Sequence, residues 1–169
     1  MNLEKLTTDQ LKELIKIYAR NIYALDGLWF QSIEQENGME IAIHHDRNTW
    51  QHFTEIEAQR IKKLLQLPDN AGLDGLQKAL ALRFSALANP KVELIRETDS
   101  LTYRVVECRV QSARKRKNMP YHPCKSVGII EHANFAKIID DRIKCIPVSC
   151  FPDVSDDSCS CSWKFVLEQ

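Results

Sequence analysis

The first ninety residues carry apolar side chains every three or four positions, the period of an amphipathic helix. Thr7 or Thr8 predicts the start of the first helix, because a hydroxyl there can cap free backbone amides. The pattern runs to about Gln35, either with a bend at Asp26-Gly27 or without one, and Asn37-Gly38 predicts its end. The apolar stripe of this helix is expected to face the core and comprises Leu11, Leu14, Ile15, Tyr18, Ile22 and Leu25.

Two further helical patterns follow. The first covers residues 39–67, with a break near His45 to Asn48 as one option, because Asp or Asn there can cap a new helix. Pro68 ends it. The second covers residues 73–87 and ends at Asn89-Pro90, since the residue before a proline disfavours helix.

The period changes after residue 90, where alternation typical of strands begins. Residues 91–97 and 101–110 predict a hairpin with Leu101, Tyr103 and Val105 on one face, and residues 142–149 and 160–168 predict two more strands. Residues 125–139 between them predict a helix, whereas the basic run Arg114–Lys117 is interpreted as a solvated loop. The expected fold class is α+β: N-terminal helices (1–90) followed by a four-strand antiparallel sheet with an inserted helix (91–169), as one folded unit.

Charge and hydropathy exclude several classes of function. Lys+Arg and Asp+Glu each number 23, so the chain lacks the basic excess of a nucleic-acid binder. No run reaches the roughly 20 apolar residues that span a bilayer, so no membrane association is expected. The N-terminus shows no apolar signal region, which favours a cytoplasmic location, where thiols stay reduced.

Five of the six cysteines lie between Tyr121 and the C-terminus, which makes this stretch the main candidate for chemistry. Strands that face each other could bring Cys145 or Cys150 towards Cys161, and Cys159 is expected on the same strand face as Cys161. Thiolates converging on one point are ligands for a metal, and zinc is the candidate cofactor. The candidate metal ligands are Cys150, Cys159, Cys161 and Cys124; the alternative is that these thiols are small buried hydrophobic groups.

Cys124 is also a candidate nucleophile. It directly precedes the predicted helix of residues 125–139, where the helix dipole and Lys125 would lower the pKa of a thiol. His122 is the candidate base beside it. The alternative is a cysteine that only packs at the start of the helix.

Three residues of the helical region are candidates for lining a ligand pocket. Asp26 and Trp29 lie where the first helix can bend, and His44 precedes a second histidine. Core packing is the alternative for Trp29, and a surface position is the alternative for His44. No glycine-rich phosphate loop and no Ser/His/Asp elbow is present, which disfavours nucleotide-dependent chemistry.

The motifs together resemble an uncharacterised family of small prokaryotic cytosolic proteins. They are Leu25-Asp-Gly-Leu-Trp-Phe30, Pro123-Cys-Lys-Ser-Val-Gly128, Cys150-Phe-Pro-Asp153 and Cys161-Ser-Trp-Lys-Phe165. More distantly, the C-terminal half is similar to the 4-vinyl-reductase-type domain, which binds small hydrophobic molecules, sometimes with zinc. That resemblance implies roles for Cys124, Cys150 and Cys161.

The expected function is a small-molecule-binding or sensing module with a cysteine cluster. The alternative is a thiol- or metal-dependent hydrolase of a small heterocycle, similar to amino-thiazoline carboxylate hydrolases, with Cys124 as nucleophile or ligand and His122 or His44 as base. A third option is a structural subunit whose helical face binds a partner. A homo-oligomer is left open.

Overall fold

The computed structural model describes residues 2–168, and its longest element is helix α1, Thr8–Leu64. Thr7 caps this helix as predicted, because its hydroxyl accepts a hydrogen bond from Gln10 N–H while the Gln10 side chain accepts from Thr7 N–H. The helix is interrupted at Gly38, whose φ of 83° and ψ of 169° are not helical. The helix was predicted to end at Asn37-Gly38, but it is only interrupted there and then continues. The optional break near His45 to Asn48 is absent from the structure.

Two short helices replace the predicted helix over 73–87: α2, Gly72–Ala81, and α3, Phe84–Ala88. Arg83 between them is extended, with ψ of 144°. The buried Glu57 of α1 explains the interruption, because its carboxylate accepts hydrogen bonds from Arg83 Nε and from Phe84 N–H, both at 2.9 Å. The contact with Glu57 thus interrupts the chain at Arg83, where the local sequence pattern predicts a continuous helix.

Four antiparallel strands form one sheet in the order β1-β2-β4-β3. Leu101, Tyr103 and Val105 are buried on one face, as the alternation predicts. The α+β fold class is confirmed. The strands are β1 (Lys91–Arg96), β2 (Ser100–Glu107), β3 (Ile143–Cys150) and β4 (Cys161–Leu167).

Two helices connect β2 to β3. The predicted one is α5, Lys125–Ile139, which packs between α1 and the sheet. The other is α4, Arg109–Arg116, so the interpretation of Arg114–Lys117 as a solvated loop is wrong. Arg114 is only 2% exposed, because its guanidinium forms a two-pronged ion pair with Glu34 at 2.7 and 2.8 Å.

The main hydrophobic core joins both halves of the chain, since it combines side chains of α1, α2, α5 and the sheet. A second apolar cluster lies beside it around Phe30, Trp50 and Phe84. Trp50 stacks on Phe84 with ring centres 5.9 Å apart. Within residues 2–168, no helix combines the length and the hydrophobicity needed to cross a membrane.

Candidate functional site

A cavity of about 390 Å³ lies between α1, α4, α5 and the buried face of the sheet. This volume falls within the range of about 300–1,000 Å³ that is typical of ligand pockets. The aromatic residues Phe30, Trp50, Tyr103 and Trp163 contribute to its wall. The cavity also collects most of the reactive side chains that the sequence pattern singles out.

Four thiols line this cavity: Cys108, Cys124, Cys150 and Cys161. Cys150 ends β3 and is the direct cross-strand partner of Cys161, the first residue of β4. Cys124 precedes α5, and its Sγ lies 3.4 Å from Cys150 Sγ. The Trp163 indole N–H lies 3.4 Å from Cys161 Sγ and donates a hydrogen bond to it.

The pKa of Cys124 is lowered from 9.0 to about 7. The main cause is the hydrogen bond from Cys150, and the positive charge that His122 can carry lowers the pKa further, while burial opposes both effects. The same contact raises the pKa of Cys150, so Cys150 stays a protonated donor when Cys124 ionises. The Cys124 thiol therefore ionises more readily than an ordinary cysteine.

His122 lies next to Cys124 and is held by its backbone. Gln111 of α4 bonds both main-chain groups of His122, donating to its carbonyl at 2.8 Å and accepting from its N–H at 3.0 Å. The ring packs edge-on against Phe30, and its Nε2 lies 3.4 Å from Asp46 Oδ2. A second carboxyl group, that of Asp26, also lines the cavity.

The pKa of Asp26 is raised to about 7, first because the side chain is buried and second because the Asp46 carboxylate is near. Within residues 2–168, neither of the two carboxyl groups forms an ion pair with a lysine or arginine. The cavity lining therefore includes the carboxyl groups of Asp26, Asp46 and Glu131, the His122 imidazole and the Cys124 thiol. It also includes five cationic residues: Arg20, Arg109, Arg114, Arg116 and Lys117.

Two buried hydroxyl groups on the cavity wall, those of Ser85 and Tyr103, lie beside each other and form no hydrogen bond to any other described residue. His122 Nε2 lies 3.4 Å from Asp46 Oδ2 and forms no closer polar contact among the described residues. A buried polar atom without a partner costs about 1–3 kcal/mol.

A buried ionic group that the sequence pattern did not reveal lies at the back of the cavity. Arg83 is fully buried and pairs with Glu57 at 2.9 Å and with Glu131 at 2.8 Å. Burial raises the pKa of Glu131 and keeps the neighbouring His132 neutral by lowering its pKa. The only local signal is a lone arginine in the apolar segment Ala81-Leu-Arg-Phe84.

The remaining predicted site residues lie elsewhere. The side chain of Trp29 is 68% exposed, and His44 is an exposed residue that contacts Asn48, so both lie outside the cavity. Cys159 is buried in the loop before β4, where its Sγ lies 3.5 Å from Asp156 Oδ2. The expectation that Cys159 shares a strand face with Cys161 is wrong, because β4 begins only at Cys161.

Zinc remains a prediction. Its candidate ligands Cys124, Cys150 and Cys161 line the cavity, and thiolates are ligands of the kind that zinc binds. Among residues 2–168, no three His, Cys, Asp or Glu side chains stand in an arrangement that could hold a metal ion.

A sequence model of the family of unknown function DUF6125 matches residues 4–167. The chain belongs to this family. The match confirms the resemblance to an uncharacterised family, whereas the similarity to the 4-vinyl-reductase-type domain stays a prediction. Searches of curated proteins and of solved structures returned no match.

Proposed function

We propose that this member of DUF6125 is a small-molecule-binding module whose ligand occupies the cavity between α1, α4, α5 and the sheet. The observation that supports the proposal is the cavity itself, whose apolar wall carries polar atoms with few partners, Ser85 Oγ, Tyr103 Oη and His122 Nε2. A ligand with an aromatic or aliphatic body would cover the apolar wall, and its polar groups would bond these atoms.

The carboxyl groups of Asp26 and Asp46 favour a protonated amine beside them, while five cationic residues also line the cavity: Arg20, Arg109, Arg114, Arg116 and Lys117. Of these, Arg20 and Arg114 are already paired with Glu13 and Glu34. Asp26 and Asp46 face the cavity without a lysine or arginine partner, and a cation between them would replace their mutual repulsion with two attractions. Phe30 and Trp50 nearby offer aromatic faces, which also attract cations.

Three probes of similar size and different charge test this proposal: tryptamine, indole and indole-3-acetate. We expect tryptamine to raise the melting temperature most and indole-3-acetate least. A ligand at ten times its dissociation constant stabilises the folded state by about 1.4 kcal/mol. For a chain of this length, that corresponds to a rise in melting temperature of roughly 3 °C.

A cavity-filling variant provides the control. Gly27 lines the cavity, and an added Cβ there would meet only Gln31 Nε2, at 3.8 Å, so we expect a leucine at this position to fill part of the cavity. Gly27→Leu should therefore abolish the tryptamine shift, whereas Gln35→Leu on the exposed surface of the same helix should keep it. If none of the three probes changes the melting temperature of the wild-type protein, the proposed pocket is contradicted.

A second candidate function is a thiol-dependent hydrolase, which the lowered pKa of Cys124 specifically favours. The thiolate would attack a carbonyl carbon of a heterocyclic amide, His122 would protonate the departing nitrogen, and water would cleave the resulting thioester to release the acid and the thiol. Mass spectrometry would detect the acyl adduct, and Cys124→Ser would prevent its formation. A substrate that turns over equally fast in the wild type and in Cys124→Ser would rule out this mechanism.

A further inference from the structure

The first part of α1, residues 8–37, carries a continuous row of large apolar side chains that the fold leaves uncovered. Six of them form what is called here the seam: Leu11, Ile15, Tyr18, Ile22, Leu25 and Trp29, with exposed fractions between 36% and 70%. Soluble monomers rarely expose a contiguous apolar patch of this kind, and such patches mark interaction surfaces.

The spacing of the seam identifies the kind of partner. Its members are separated by four, three, four, three and four residues, which is the a/d pattern of a coiled-coil helix. The opposite side of the same helix is already occupied, because Tyr23, Asp26 and Phe30 line the cavity. The seam is therefore a second surface of this helix, and its geometry fits another helix.

We propose that the seam pairs with the seam of a second copy of this chain, forming an antiparallel two-fold dimer. The exposed fractions of the six side chains leave on the order of 800 Å² accessible on one copy, which is the area per partner of a standard protein interface. A two-fold axis places the same patch on both copies, so no other surface is required.

An antiparallel direction fits the symmetry of the spacing and the sizes of the side chains. The seam reads the same in both directions about position 20. In an antiparallel pair, Leu11 of one copy faces Trp29 of the other, Ile15 faces Leu25, and Tyr18 faces Ile22. Small side chains thereby meet large ones at the ends of the seam, as close packing requires.

Charge disfavours a membrane as the partner of the seam. The segment of residues 8–37 as a whole has five acidic and three basic residues, which is the wrong sign for attraction to an anionic membrane surface.

Two isoleucines of the same helix offer a matched pair of variants. Ile22 lies in the seam and Ile17 lies outside it, yet both are 40% exposed. We expect the wild-type chain to have the mass of a dimer in light scattering at micromolar concentration. Ile22→Glu, which alters the interface on both copies, should raise the dissociation constant by roughly 100-fold or more. Ile17→Glu should leave it within a few-fold.

The direction of the pair is tested by disulfide formation under mild oxidation. A mixture of Ile15→Cys and Leu25→Cys chains should form a mixed cross-linked dimer, whereas either variant alone should not cross-link through its new thiol. Efficient cross-linking of Leu25→Cys with itself would overturn the antiparallel pairing. A monomeric wild-type chain, equal weakening by both glutamate variants, or sedimentation with phosphatidylglycerol vesicles in place of dimerisation would overturn the proposal.

Discussion

The thiolate character of Cys124 depends on one neighbour, and Cys150→Ala tests that dependence. The Cys150 thiol lies 3.4 Å from Cys124 Sγ and is the main cause of its lowered pKa. The variant removes this donor and leaves burial, which raises the pKa, opposed by the weaker effects of the nearby His122 and of Gln111 Nε2 at 3.7 Å. We therefore expect the pKa of Cys124 to rise from about 7 towards its ordinary value of 9.0.

The size of the effect follows from the fraction of thiolate. At pH 7 a thiol with a pKa of about 7 is half ionised, whereas a thiol with a pKa of 9.0 is ionised to about 1%. The less basic thiolate is intrinsically less nucleophilic, by roughly tenfold across two pKa units. The net expectation is that Cys150→Ala slows alkylation of Cys124 at pH 7 by up to about fivefold and moves the midpoint of its pH profile upward by up to about two units.

The assay is the rate of iodoacetamide labelling at Cys124 from pH 5 to 10, followed by peptide mass spectrometry. Cys145→Ala is the control, because Cys145 lies outside the cavity and its own pKa is raised to about 12 by burial. This control should leave the Cys124 profile unchanged. The reasoning is refuted if wild-type Cys124 titrates near 9, or if Cys150→Ala leaves the midpoint near 7.

Three further predictions concern stability, measured by urea unfolding. Gly128→Ala should destabilise by about 1–3 kcal/mol, because the new Cβ would lie 2.6 Å from Trp163 Cζ2; Gly27→Ala, with open space, should stabilise by about 0.5–1 kcal/mol. Asp26→Asn should gain stability relative to wild type as pH rises from about 4 to 7, by on the order of 3 kcal/mol. The reason is that Asp26 of the folded wild type stays protonated in this range, whereas Asp26 of the unfolded chain loses its proton. Parallel stability curves for the two proteins would contradict this. Arg114→Met should cost about 3–5 kcal/mol by leaving a partly buried carboxylate unpaired, and a loss below 1 kcal/mol would mean that the ion pair contributes little.

Local signals predicted the elements whose ends depend on nearby residues. The cap at Thr7, the alternation of Leu101, Tyr103 and Val105, and the bounds of the helix over 125–139 all follow from short-range patterns. The sequence also allowed the prediction that Cys150 and Cys161 lie close together, because two facing strands were predicted around them. Their direct pairing required the register, which no local pattern specifies.

The features that the sequence pattern missed depend on partners far along the chain. Arg114 is buried because Glu34, eighty residues earlier, meets it, and Arg83 interrupts a helix because Glu57 binds its guanidinium. The period of an amphipathic helix also cannot tell which of two apolar faces is covered. Trp29 was therefore expected at the pocket, whereas the structure leaves it on the surface.

The break at Gly38 allows ligand binding and dimerisation to be coupled through the first part of α1. Residues 8–37 form one rod that carries cavity residues on one side and the seam on the other, and the rod meets the rest of α1 at a single residue with a φ of 83°. A ligand and a second copy of the chain would both act on the orientation of this rod. Their binding free energies would then be linked, and the linkage is reciprocal: whatever factor the ligand changes in the dimer dissociation constant, dimerisation changes in the affinity for the ligand.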